Sequence, residues 1–233
     1  MTDKDRSIEY ILDHGLVKPK TAREQARDIL RTFGFKFIFW DMAFSLIFAA
    51  ITIVVVLAVF VAVPENYRYS ATVAVAPLLY LLVSVFTETE ERASGLYELK
   101  QTCRYTTRQI TAFRTACYSV AGAGYTAVVA WMGARGALEF MTMYPLGLLA
   151  LFTCAVPQLT LTRYARHRWA NALYAAVWVF VNLALPLRLG ENWEKTLAGI
   201  PAAVSLGIAV AGAAISAYQI KKMLTEVQAY ARA

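Results

Sequence analysis

Charge is scarce in this chain. Asp, Glu, Lys and Arg together make up 17% of its 233 residues, and several long stretches contain none of them. Seven prolines and 12 glycines, widely dispersed, are too few for a low-complexity or collagen-like chain, and a hydrophobic share of 58% excludes intrinsic disorder. The three cysteines, Cys103, Cys117 and Cys154, lie too far apart for a zinc knuckle or a redox pair. An odd number cannot pair fully within one chain, so reduced thiols are expected. The two histidines, His14 and His167, both fall outside the apolar runs. No His-Glu-x-x-His and no carboxylate pair within those runs is present to support metal-dependent or acid–base catalysis, and no metal site is expected. A Gly-x-x-x-x-Gly-Lys-Ser/Thr phosphate loop is also missing, so the chain does not bind ATP in that mode. Residues 1–36 are charged throughout, with no short apolar core or cleavage site near residue ten, and the N-terminus is expected to be retained.

What is present is apolar surface in continuous runs, more than one soluble domain of this size can bury. Six runs approach or exceed the roughly twenty residues that cross a bilayer: 37–63, 69–86, 112–132, 141–161, 169–187 and 197–220. None alternates with a period of two, and a backbone in lipid must satisfy its own hydrogen bonds, so the runs are expected to be helices. The fold class is then all-α integral membrane, with residues 1–36 and 221–233 as flanking segments around a domain over 37–220. Pro64 and Pro186 suit helix termini, whereas Pro77, Pro157 and Pro201 lie inside their runs and predict kinks. In the last run Gly199, Ala203, Gly207 and Ala211 recur every four residues, a small-residue stripe expected to pack inside the bundle. Trp131, Trp169, Trp178 and Trp193 read as an interfacial belt at span ends.

The net charge of +7 raises nucleic-acid binding as a question. Lys and Arg are confined to segments between the runs, however, which is the pattern of membrane orientation and not of a groove-binding stripe. Of the 23 basic residues, 19 fall on one side of the expected membrane, with Arg92, Lys100, Arg104, Arg108 and, at the start of the third run, Arg114 among them. Only Arg68, Arg135, Arg188 and Lys195 fall on the other side. The larger group belongs in the cytoplasm, which makes the chain a multi-pass cell-membrane protein with both termini cytoplasmic. The external connections around Asn66, Gly133 and Asn192 are short, and charge reversal of Glu194 there is expected to be mild.

Function must then lie in the bundle or on its cytoplasmic face. In residues 1–36, Thr21 and Glu24 have capping-box spacing. The helix they open puts Ala22, Ala26, Ile29, Leu30, Phe33 and Phe37 on one side and Arg23, Arg27 and Arg31 on the other, as in a helix lying in the membrane interface. Asp41, just inside the first run, reads as a marker of the water boundary. Between the second and third runs stands an acidic cluster, a break at Gly95, and a short helical stretch with Leu96, Leu99 and Cys103 on one face and Arg104 and Arg108 nearby. Such a segment suits docking into a partner's groove.

Here the chain resembles the six-helix membrane subunits of ATP-binding-cassette exporters often called type V. Their loop between the second and third spans usually reads Glu, some residues, Gly-Thr-x-Glu-Leu-Leu-x-Thr-Pro, then Ser or Thr three residues on. Glu91, Gly95, Glu98, Leu99, Thr102 and Thr106 keep that pattern, while Leu96, Lys100 and Cys103 depart from the usual Thr, Leu and Pro. The resemblance implies that Glu91, Gly95, Leu96, Glu98, Leu99, Thr102, Arg104 and Thr106 form a coupling helix. It would dock into a separate cytoplasmic ATPase subunit that carries ATP and Mg, beside an interfacial helix with Arg23, Arg27, Ile29, Leu30, Arg31 and Phe33. It further implies a second permease subunit, identical or homologous, and export of an amphiphilic peptide, lipid-like or small hydrophobic cargo.

Neutral polar residues within the runs, Ser45, Thr52, Tyr125 and Asn182 among them, are candidates to line a path, or equally to join helices by hydrogen bonds. Two other classes stay open. A secondary carrier or channel would normally place ionisable groups near the midplane, where the runs offer little beyond Asp41, and a non-transporting scaffold or sensor needs none of these features.

Overall fold

A computed structural model describes residues 24, 27, 42–93, 107–164 and 169–225. The described residues are helical, without a strand. In chain order the helices are α1 (Met42–Ala62), α2 (Arg68–Val75), α3 (Leu78–Ala93), α4 (Thr107–Gly133), α5 (Ala137–Tyr164), α6 (Ala170–Leu189), α7 (Glu191–Ala198) and α8 (Ala202–Thr225), with a single 3-10 turn at Glu65–Tyr67. Four stretches are long and apolar enough to cross a membrane: Glu65–Phe86, Ala137–Thr162, Ala170–Leu189 and Ala202–Met223. Helix α1 contributes a shorter apolar stretch, Ala50–Ala62. Helix α4, though 27 residues long, interleaves Arg114, Tyr118, Ser119, Tyr125 and Thr126 with its apolar residues and is less apolar than those four.

Several threonine hydroxyls are satisfied within their own helices. Thr72, Thr126 and Thr162 each donate to the carbonyl four residues earlier, at 2.8–2.9 Å, so they need no water in an apolar surrounding. The main core joins α1 to α5 through Val56, Val75, Tyr80, Tyr118, Val129 and Leu151. Helix α8 packs most extensively on α5. Its buried residues, Ser205, Ala209, Ser216 and Met223, share one face with Gly212, which lies against Phe152. The opposite faces of α6 and α8 expose Leu173, Phe180, Leu183, Val204, Ile208 and Val210, an apolar surface of the kind that meets lipid.

Close approach of α4 and α5 depends on Gly147. A Cβ there would stand 2.6 Å from Thr126 Cγ2, a separation that carbon atoms do not tolerate.

Prolines divide as their position in each helix dictates. Pro77 does break the second apolar run: α2 ends at Val75, and α3 begins at Leu78. Pro157 lies inside α5, as does Pro145, and the helix continues through both. Pro186 sits in the last turn of α6, where its carbonyl accepts from Gly190 N–H at 2.9 Å. Pro201 is a correction. It does not kink the last helix but begins it, its carbonyl accepting from Val204 and Ser205 N–H, because a residue without an N–H costs nothing where the first turn has no acceptor to offer. The apolar run 197–220 is accordingly two elements. Leu197 belongs to α7 and is buried beside Val73, Leu146 and Ala150.

Other expectations also change. Gly199, Ala203, Gly207 and Ala211 are exposed, and a Cβ on Gly207 would meet nothing within 4 Å, so the small-residue stripe faces away from the bundle. The reason is that α5 takes the adjacent face of α8, the one marked by Gly212. Trp131 and Trp169 are exposed near helix ends, but Trp178 lies in the middle of α6 and, with Trp193, packs on the Leu197 cluster. The second run's helix also continues beyond 86, through the acidic cluster, to Ala93.

Candidate functional site

Helices α1, α2 and α6 enclose a cavity of about 690 Å³. It arises from small side chains. Helix α2 turns Ser70, Ala71 and Ala74 toward it, and these do not fill the space left by Val55 and Val59 of α1 and by Val179, Asn182 and Leu183 of α6. Tyr67, Pro64 and Gly190 line one end. Val55, Leu183 and Leu187 line the cavity and are themselves exposed, so it opens sideways between α1 and α6. Ser70, Tyr67 and Asn182 are its polar lining side chains, and no lining residue is charged.

The Tyr67 end is tied together by hydrogen bonds over long sequence separations. Helix α2 starts without a side-chain cap of its own, since Tyr67 occupies the N-cap position and provides none. Glu194 of α7 supplies the missing acceptor. Its carboxylate accepts from Tyr69 N–H at 2.6 Å, from Ser70 N–H at 3.0 Å, and from the Ser70 hydroxyl in a short contact. A carboxylate at this position satisfies orphan donors and meets the positive end of the helix dipole. Gly190, at φ +54°, makes the reversal from α6 into α7 that brings Glu194 there, a conformation that a side chain would strain.

Beside this cap, Arg68 donates to the carbonyl of Gly133 at 3.1 Å and closes the end of α4. Glu65 pairs with Arg68 at 3.4 Å and with Arg135, and Glu139 accepts from Arg135 N–H at 2.8 Å ahead of α5. The connections α1–α2, α4–α5 and α6–α7 therefore stand at one end of the bundle. Glu194 is not an indifferent surface charge, which corrects the expectation for its reversal. No local signal shows the bond to Ser70, although Trp193 and Leu197, four residues apart beside two glutamates, outline α7 itself.

The sequence-based site residues are distributed as follows. Asn182 lines the cavity and donates to Trp178 O at 2.9 Å. Thr52 and Tyr125 are buried side by side where α1 meets α4, away from the cavity lining. The side chain of Ser45 lies outside the described residues, while its backbone belongs to α1. Glu91 falls in α3, and Gly95, Leu96, Glu98, Leu99, Thr102, Arg104 and Thr106 lie outside the described residues. Of the interfacial-helix residues, Arg27 is helical and exposed, as is Glu24; Arg23, Ile29, Leu30, Arg31 and Phe33 lie outside the described residues. Arg114 is not a loop residue: it sits two turns into α4 and is 6% exposed. Among the described residues no three His, Cys, Asp or Glu side chains come together to hold a metal ion.

Comparison with protein families, with curated proteins and with solved structures finds no match to this chain.

Proposed function

We propose that this chain is the permease subunit of an ATP-driven exporter, with six spans, working as a pair of such subunits on two cytoplasmic ATPase subunits. One observation carries the reading: the pattern Glu91, Gly95, Glu98, Leu99, Thr102 and Thr106, which begins in the last turn of α3 and runs through the connection from Ala93, where α3 ends, to Thr107, where α4 begins. A short amphipathic segment between two spanning helices transmits motion of a docked ATPase to both. The cargo is amphiphilic. An apolar cavity that opens sideways, with three polar lining side chains, supports this by offering a path from the lipid. In this reading the Glu194 end of the bundle faces outward, and residues 94–106 face the cytoplasm.

The test is export of a fluorescent amphiphile from vesicles in the presence and absence of a co-expressed ATPase of the same genome. Export that depends on that ATPase supports the reading. Export driven by an ion gradient alone favours a secondary carrier, the reading to which the buried Arg114 lends weight.

A further inference from the structure

The polar groups of the cavity are unevenly spent. The Ser70 hydroxyl gives its proton to the Glu194 carboxylate, which can only accept, so Ser70 Oγ has only lone pairs left. Asn182 has committed one N–H to Trp178 O, which leaves its second N–H as a donor and its side-chain carbonyl as an acceptor. The Tyr67 hydroxyl, at the same end as Ser70, can serve as either partner. Acceptors therefore outnumber donors. No lining side chain carries a charge, and the carboxylate of Glu194 stands directly behind the Ser70 hydroxyl. A carboxylate or phosphate head at Ser70 would meet oxygen lone pairs and, behind them, the Glu194 carboxylate, with no cation among the lining residues, whereas a quaternary ammonium has no proton to give to Ser70. Along α6 the lining runs from Val179 to Gly190, about 16 Å at the helical rise, room for an extended hydrocarbon chain.

From this we propose that the cavity between α1, α2 and α6 binds a single-chain amphiphile whose neutral head donates a hydrogen bond to Ser70, with its tail along α6. The inference deepens the transport reading by naming the cargo's head group, yet its test needs no ATPase. The chain in lipid nanodiscs is loaded with tritiated 1-dodecanol and challenged with unlabelled 1-dodecanol, dodecanoate and dodecyltrimethylammonium, three heads on one tail. The expected result is saturable binding displaced by dodecanol, with the two charged competitors at least about tenfold weaker. Ala74→Trp, which fills the cavity, abolishes the saturable component, and Ser70→Ala weakens dodecanol about tenfold. Glu194→Gln, which removes the charge behind Ser70, narrows the preference of alcohol over carboxylate. Equal competition by dodecanoate on the unaltered chain, or no saturable dodecanol binding, overturns the inference without recourse to any variant. A chain that binds dodecanol in this order but shows no ATPase-dependent export keeps the inference and loses the transport reading.

Discussion

Glu194 and Ser70, 124 residues apart, are joined through both the backbone N–H and the hydroxyl of Ser70, so α2 takes its N-terminal cap from α7. This bond fixes the connection between the last two long helices against the second apolar run, at the end of the cavity that Tyr67 and Gly190 line.

Replacing Glu194 by Lys removes the cap and puts a positive charge at the positive end of α2. The two effects together cost about 2 kcal/mol. A thermal unfolding scan in detergent should show a clear fall in Tm for Glu194→Lys and a smaller one for Glu194→Gln. Glu191→Lys changes the same charge at an exposed position of α7 and should cost less than about 1 kcal/mol. Equal Tm values for the two reversals would show that the cap contributes nothing.

Packing of α4 on α5 gives a second test. Gly147→Ala brings a methyl group to 2.6 Å from Thr126 Cγ2, and the resulting shift costs about 1–3 kcal/mol. Thr126→Ser deletes that methyl and keeps the hydroxyl that donates to Gly122 O at 2.8 Å. In a double-mutant cycle Thr126→Ser should recover most of the loss caused by Gly147→Ala, because the two sites share one contact. Additive losses would place the strain elsewhere.

Much of this architecture is legible in the apolar runs, since a helix is the way a continuous apolar segment satisfies its backbone in lipid, and four of the runs hold helical stretches of spanning length and composition. The break at Pro77 is legible for the same local reason. Pro201 is not, because hydropathy runs unbroken from Leu197 into α8 and hides the end of α7. Side-chain direction is also hidden. The small-residue stripe and the Gly212 face of α8 are adjacent on one helix, and only the position of Phe152 decides which is buried. Of the cavity, Asn182 stands out as a polar residue in an apolar run, but Ser70 gains its place through Glu194, a tertiary contact that leaves no periodic trace in the sequence.

Sidedness has a direct measurement. The ion pair of Glu65 with Arg135 and the cap of Glu194 on Ser70 put Asn66, Gly136 and Asn192, all exposed, at one end of the bundle. With the native cysteines replaced, single cysteines at these three positions should react together with an impermeant thiol reagent added to intact cells. One at Ser94, in the connection between α3 and α4, should not react until the cells are opened. Labelling of Ser94 from outside would reverse the orientation on which the transport reading depends.

In the proposed function, coupling to an ATPase would run through Glu98, within the segment that resembles a coupling helix. In that reading Glu98→Lys reverses a charge at the contact with the ATPase, where a like-charge juxtaposition costs several kcal/mol, enough to lower association by two or more orders of magnitude. The variant should reach the membrane in normal amounts, since the change lies in the connection between α3 and α4 and not in a spanning helix, and should lose ATPase association in a pull-down together with ATP-dependent export. Glu194→Lys cannot serve as the comparison, because it uncaps α2; Glu191→Lys, exposed at the opposite end, alters the same charge without a bond to another helix. If Glu98→Lys keeps full association and export while Glu191→Lys behaves as the unaltered chain, the segment 94–106 does not couple, and a carrier built around the buried Arg114 becomes the better account.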